Sequence, residues 1–184
     1  MSFNYIKEKE KMDKFLIGLQ KSKKFLTIGW RYDSGYWLFD DYVSKYFTFD
    51  TDQVYVLDAF CKNLEDFNKY NVTKICCDIR DFDYKKYSLN DVAIIWEHGP
   101  EHLIKKEAVK VINSMKKYAS FIAIETPRGE YPQGELYGNP HEKHLSSWDF
   151  EDYKTYFPDF TTWHNDDHNP PLGVLGAFWS KHDI

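Results

Sequence analysis

Four acidic residues each close a short apolar run. Asp58 follows Val54-Tyr-Val-Leu57, Asp78 follows Val72 to Cys77, Glu97 follows Asp91-Val-Ala-Ile-Ile-Trp96, and Glu125 follows Phe121-Ile-Ala-Ile124. Carboxylates in such places accept strong hydrogen bonds from hydroxyls and amines, and a suitably placed one exchanges a proton. Asp81 stands close enough to Asp78 to compete for its role. Glu97 opens the turn Glu-His-Gly-Pro-Glu-His102, where Glu97 or His98 could take a proton from a reacting group. His98 and His102 have i, i+4 spacing, but Gly99-Pro100 denies them the helical metal-binding geometry, and Pro100 reads as the first turn of the next helix. His141/His144 and His164/His168, with Glu125, form a looser set that could hold a metal. Histidines, aspartates and asparagines are common in loops, so no metal ligand is assigned. His141 or His144 is read instead as a substrate-binding residue or base.

Elements that would position these groups follow from periodicity. Residues 4–22 read as an amphipathic helix with Ile6, Met12, Phe15, Leu16 and Leu19 on one stripe. Phe25 to Ile28 is a first strand, followed by a polar loop (Arg31 to Gly35) and an aromatic helix over 36–47. The four acid-terminated runs give strands two to five. Helices are expected over 61–70 and 101–118, the latter with Leu103, Ala108, Val111, Ile112 and Met115 near helical spacing. Nearly continuous apolar strands alternating with helices mean a mostly parallel sheet covered on both faces, and the strand-end acids then share one crevice at its carboxyl edge. From Thr126 to Trp148, prolines and glycines break the pattern. Tyr131, Tyr137, His141, His144 and Trp148 make this segment (126–148) an ordered lid or substrate loop. Trp148 anchors it, and Ser147 or Asp149 caps a helix running to Tyr156. Phe160–His164 and Val174–Ser180 close the chain as an antiparallel hairpin.

Composition narrows the class. At 184 residues the chain suits one domain, taken as 1–184, and a chain of this length buries roughly 70% of its unfolded surface. Fourteen Tyr, fourteen Phe and six Trp favour aromatic-walled pockets. A net charge of −5 argues against broad nucleic-acid binding. The lysine-rich stretch 7–24 reads as a solvated helix face. Three cysteines, two of them adjacent, are no disulfide framework; Cys61, Cys76 and Cys77 read as small core residues in a reducing compartment. No run approaches the ~20 apolar residues of a membrane helix. The expectation is a cytoplasmic protein without membrane contact.

The order of elements over about 23–181 resembles the class I S-adenosylmethionine-dependent methyltransferases. The pieces that carry the resemblance are Phe25 to Gly35, Val54-Tyr-Val-Leu-Asp58, Cys77-Asp-Ile-Arg-Asp-Phe82, Asp91 to Leu103 and Phe121 to Glu130. It implies an α/β, Rossmann-like three-layer sandwich whose mostly parallel seven-stranded sheet ends in an antiparallel C-terminal hairpin strand. It implies S-adenosylmethionine as cofactor, with Asp58 accepting from both ribose hydroxyls, Asp78 and the Ile79 backbone N–H holding the adenine, and Gly29 beneath the methionine part. Trp30, Tyr32 and Trp96 are placed to stack on a base or face a sulfonium, although in a chain so rich in aromatics core packing is the commoner role for any one of them. Glu97, His98 and His141 would serve the methyl acceptor, a small molecule or polar side chain. The first loop departs from the family pattern. Thr27 stands where the family has an acid, and Arg31 and Asp33 replace two of the three glycines. That departure supports an alternative: a methyltransferase-like domain without catalysis, serving as a nucleoside-binding or protein-interaction module.

Overall fold

The computed structural model describes residues 9–29, 53–69, 71–166 and 173–182. The expectations for Trp30, Tyr32, the Arg31–Gly35 loop, the helix over 36–47, the start of the first helix and His168 lie outside them.

Among the described residues, seven strands form one sheet: β1 (Lys24–Ile28), β2 (Val54–Asp58), β3 (Thr73–Cys76), β4 (Val92–Glu97), β5 (Ala119–Pro127), β6 (Thr161–Asn165) and β7 (Val174–Ser180). Their spatial order is β3-β2-β1-β4-β5-β7-β6. The first five run parallel, while β7 pairs antiparallel with both β5 and β6. β1 is central because its Phe-Leu-Thr-Ile run is buried on both faces, flanked by β2 and β4.

Strand alternation divides the core into two layers. Phe25, Val54, Val56, Ala93, Ile95, Phe121 and Ala123 face one side, where α1 (Lys9–Gln20) adds Phe15 and Leu19 and the 3-10 helix Cys61–Lys69 adds Leu64 and Phe67. Leu26, Ile28, Leu57, Ile94, Trp96, Ile122 and Ile124 face the other. There α2 (Lys105–Met115) contributes Ala108, Val111, Ile112 and Met115, and α3 (Phe150–Tyr156) contributes Tyr153. Among the described residues no helix is long and apolar enough to cross a membrane.

Three expectations are corrected. The helix expected over 101–118 is split into a 3-10 turn, Pro100–His102, and α2, because Leu103 and Ile104 are extended. The Glu101 carbonyl accepts from Leu145 N at 2.8 Å and Ser146 N at 3.1 Å, so it docks the long loop instead of continuing a helix. The helix expected over 61–70 is a 3-10 helix. Cys61 and Cys76, read as core residues, are exposed and joined in a disulfide with Cα atoms 5.0 Å apart, tying that 3-10 helix to β3. Only Cys77 is a free, half-buried thiol.

Candidate functional site

β1 and its two neighbours end at a cavity of about 630 Å³. It lies at the switch point where the chain leaves β1 toward β2 on one side and β4 on the other, which is where open α/β sheets take their ligands. Gly29, Asp58, Asp78, Ile79, Glu97, His98 and His141 all line it, so the residues singled out from sequence, Trp30 aside, meet in one place.

Gly29 follows β1 with φ +73°, a conformation that L side chains rarely adopt. A Cβ there would stand 3.9 Å from Trp96 Nε1, so the bare backbone faces the cavity beside the indole. Asp58, 5% exposed, accepts from Phe60 N at 2.7 Å and Asn63 Nδ2 at 3.1 Å. It therefore both holds the following 3-10 helix and presents its remaining lone pairs to the cavity. Burial outweighs these bonds and pushes its carboxyl up to about 6. The protonated form is the one the fold favours: this contribution is fully present below about pH 4 and is lost as pH rises through about 6. Denaturant unfolding should accordingly show stability falling more steeply over that interval in the native sequence than in Asp58→Asn. Parallel profiles would show that Asp58 is solvated.

Asp78 caps the 3-10 turn Ile79–Asp81. Its carboxylate receives the Arg80 guanidinium as a fork, at 3.0 Å from Nε and 2.7 Å from Nη2, and Arg80 also reaches Glu107 at 3.1 Å. The Arg80 hydrogen bonds hold the Asp78 carboxyl below the usual range. The oxygens expected to receive an adenine amine are thus engaged, while Ile79 offers the cavity an apolar side chain. Asp81 lies beside a separate depression.

The acceptor side is dominated by buried charge. Glu97 and Glu125 are register partners on β4 and β5. Burial, then the Glu125 charge, push Glu97 up to about 8. His98 has φ +47°. Its Nδ1 stands 3.5 Å from Glu101 and its Nε2 3.4 Å from Glu125, both carboxylates being buried. Burial pulls the imidazole pKa down, but Glu101, Glu125 and Glu97 together outweigh it and raise it to about 9. Both shifts favour the protonated form, Glu97 through burial beside Glu125 and His98 through its flanking carboxylates, so either would act as a base only after giving up a proton. His141 acts electrostatically on Asp58 and Asp78, placing it toward the β2–β3 side of the cavity.

The 126–148 segment forms the outer wall through Tyr131, Gln133, Asn139, His141 and His144. Gly129 N donates to Trp148 O at 2.7 Å, His144 N to Gln133 O at 3.0 Å, and Gln133 Nε2 to Glu142 O at 2.7 Å. Trp148, 1% exposed, donates to Ser146 Oγ at 3.1 Å and packs against Tyr153 and Phe157. His102 and His144 meet edge to face at 4.9 Å, and burial pushes the His144 imidazole down. Asn63, Arg80, Gln133 and Glu142 also line the cavity. Sequence reading did not single them out, since each is an ordinary polar residue of a turn until the fold turns it inward.

A scan against protein-family models returned no match, and neither did a comparison with curated proteins. Solved structures do match. The chain is similar to the 1,6-didemethyltoxoflavin-N1-methyltransferase of Burkholderia thailandensis, solved with 1,6-didemethyltoxoflavin and S-adenosylhomocysteine bound (TM-score 0.62, 13% identity, 95% of this chain and 78% of that one). It is similar to the N-methyltransferase NodS of Bradyrhizobium japonicum WM9 (TM-score 0.59, 11% identity, 97% and 96% covered). It is also similar to the small RNA methyltransferase HEN1 (TM-score 0.61, 16% identity, 96% of this chain), of which it spans only 25%. At these identities the likeness is one of fold. The parallel order β3-β2-β1-β4-β5, the antiparallel β7 beside β5 and these neighbours together give the chain the class I S-adenosylmethionine-dependent methyltransferase fold.

Proposed function

We propose that the chain is an S-adenosylmethionine-dependent methyltransferase acting on a small molecule or a polar side chain. The carrying observation is the single cavity that gathers Gly29, Asp58, Ile79 and the Glu97-His98 turn at the carboxyl ends of β1, β2 and β4. The residues fit the cofactor where they can be tested. Gly29 gives close backbone approach, Asp58 offers lone pairs to a ribose diol, and Ile79 offers an apolar face to a purine. S-adenosylmethionine supplies an electrophilic methyl group on a sulfonium. The chain holds the acceptor in line with it and excludes water, which is where most of the acceleration of such a transfer arises. Glu97, as a carboxylic acid, presents a donor to the acceptor. His98, held between two carboxylates, is a positioning residue, and His141 closes over the nucleoside. The net charge of −5 and the enclosed wall favour an acceptor smaller than a nucleic-acid strand.

The Arg80 fork on Asp78 favours a second reading, a methyltransferase-like domain that binds a nucleoside or a partner protein without catalysis. Thermal unfolding with S-adenosylmethionine or S-adenosylhomocysteine tests the first step common to catalysis. A ligand at a hundred times its Kd adds ~2.7 kcal/mol, a rise of roughly 5–10 °C in a chain of this size. The rise should vanish in Asp58→Ala. No rise with either ligand at millimolar concentration would sink the methyltransferase reading.

A further inference from the structure

We propose that Glu101, His102 and His144 bind a divalent transition-metal ion at the edge of this cavity. One ligand atom from each lies within 4.8 Å of those of the other two. Ligands about 2.1 Å from a metal stand roughly 3.4–3.6 Å apart in a tetrahedral or trigonal shell, so a pair at the outer limit must draw in by about 1 Å, a movement within the reach of side-chain rotation.

The surroundings point the same way. His102 Nδ1 faces the Lys143 carbonyl at 3.3 Å, and His144 Nδ1 faces the Tyr131 carbonyl at 2.6 Å. Backbone carbonyls on one ring nitrogen are the usual outer-shell partners of a metal-binding histidine, and they leave Nε2 of each ring as the donor to the ion. Glu101 is 2% exposed, and neither carboxylate oxygen accepts a hydrogen bond of ordinary geometry among the described residues. Its nearest cation is His98, at 3.5 Å. Glu125 shares that cation, so a single imidazolium faces two buried carboxylates, and coordinating a metal would complete the pairing of Glu101. The Leu145 and Ser146 bonds to the Glu101 carbonyl lock the histidine-bearing loop onto the Glu101–His102 turn, so the three donors are held by backbone.

Two imidazoles and one carboxylate suit zinc, cobalt, iron or manganese better than calcium or magnesium. Three protein ligands leave coordination positions open, and His102 and His144 line the cavity. An acceptor oxygen would complete the shell; that extension rests on the methyl-transfer reading, whereas metal binding does not.

The test is titration of the chelator-stripped full chain with Co²⁺ and with Zn²⁺, without nucleoside. One ion per chain is expected, with cobalt showing the visible absorption of a low-symmetry four- or five-coordinate site. Outer-shell changes alone cost roughly 10–100-fold in affinity, so His102→Ala, His144→Ala and Glu101→Gln should each cost at least about 100-fold. His164→Ala, on an exposed imidazole elsewhere, should leave the affinity unchanged. If the Glu101 variant fails to fold, the two half-buried histidines carry the test. Unchanged affinity in His144→Ala, or loss in His164→Ala, overturns the proposal. Metal binding without any response to S-adenosylhomocysteine would keep this site and remove the methyl-transfer reading; the converse would remove this site alone.

Discussion

Trp148→Ala should lower stability by about 3–5 kcal/mol, the range for removing a buried aromatic side chain. In a chain of this size that is a fall in Tm of roughly 6–20 °C. The indole fills the space between Tyr153 and Phe157, carries the Lys105 ammonium over its face at 5.5 Å, and donates its N–H to Ser146. Its backbone carbonyl also ties down Gly129, the other end of the same loop. Losing the side chain leaves a void under α3 and frees both ends of the outer wall. Nucleoside affinity should therefore fall along with stability, and Trp148→Phe should recover most of each. A Tm within 2 °C of the native chain would show that the loop is not anchored here.

Gly99→Ala should produce the second large effect. A Cβ at Gly99 would meet the Trp96 indole at 1.6 Å from Nε1 and 2.1 Å from Cδ1, so the ring must move. Trp96 is 3% exposed and packed into the core. Overpacking of this kind costs about 1–3 kcal/mol. A Cβ at Gly29 would stand 3.9 Å from the same Nε1, so displacing the ring disturbs the seat proposed for the cofactor. S-adenosylhomocysteine affinity should drop by about tenfold or more, equivalent to ~1.4 kcal/mol. A double-mutant cycle isolates the cause: in a Trp96→Ala background, Gly99→Ala should cost little. An equal cost in both backgrounds would place the strain elsewhere.

The contrast between what was legible in the sequence and what was not has a physical origin. Central parallel strands are buried on both faces and read as unbroken apolar runs, so β1 to β4 fall within a residue or two of their expected bounds. β5 runs longer than the expected 121–124, because β4 and β7 pair with it on both edges and draw Thr126 and Pro127 into the ladder. The acids at strand ends were legible for the same reason, since they stand where apolar runs stop. Glu101 was not. Its spacing suited the first turn of a continuous helix, and only the docking of Leu145 and Ser146 on its carbonyl shows why that helix never forms. The Cys61–Cys76 crosslink joins residues 15 apart in the chain that only the packing of the 3-10 helix on β3 brings together. Histidines spaced as local pairs suggested the wrong partners; His102 meets His144 across 42 residues because the long loop folds back over the turn after β4.

The sheet order has a consequence during synthesis. β7 follows the other six strands in the chain, yet it lies inside the sheet, between β5 and β6. Until residues 174–180 leave the ribosome, the apolar β5 keeps one edge of unpaired N–H and C=O groups, a template for pairing with another nascent chain. Truncation before Val174 would strip an interior strand and leave β6 with nothing to pair against. Expression of such fragments should yield aggregates, not a smaller folded protein.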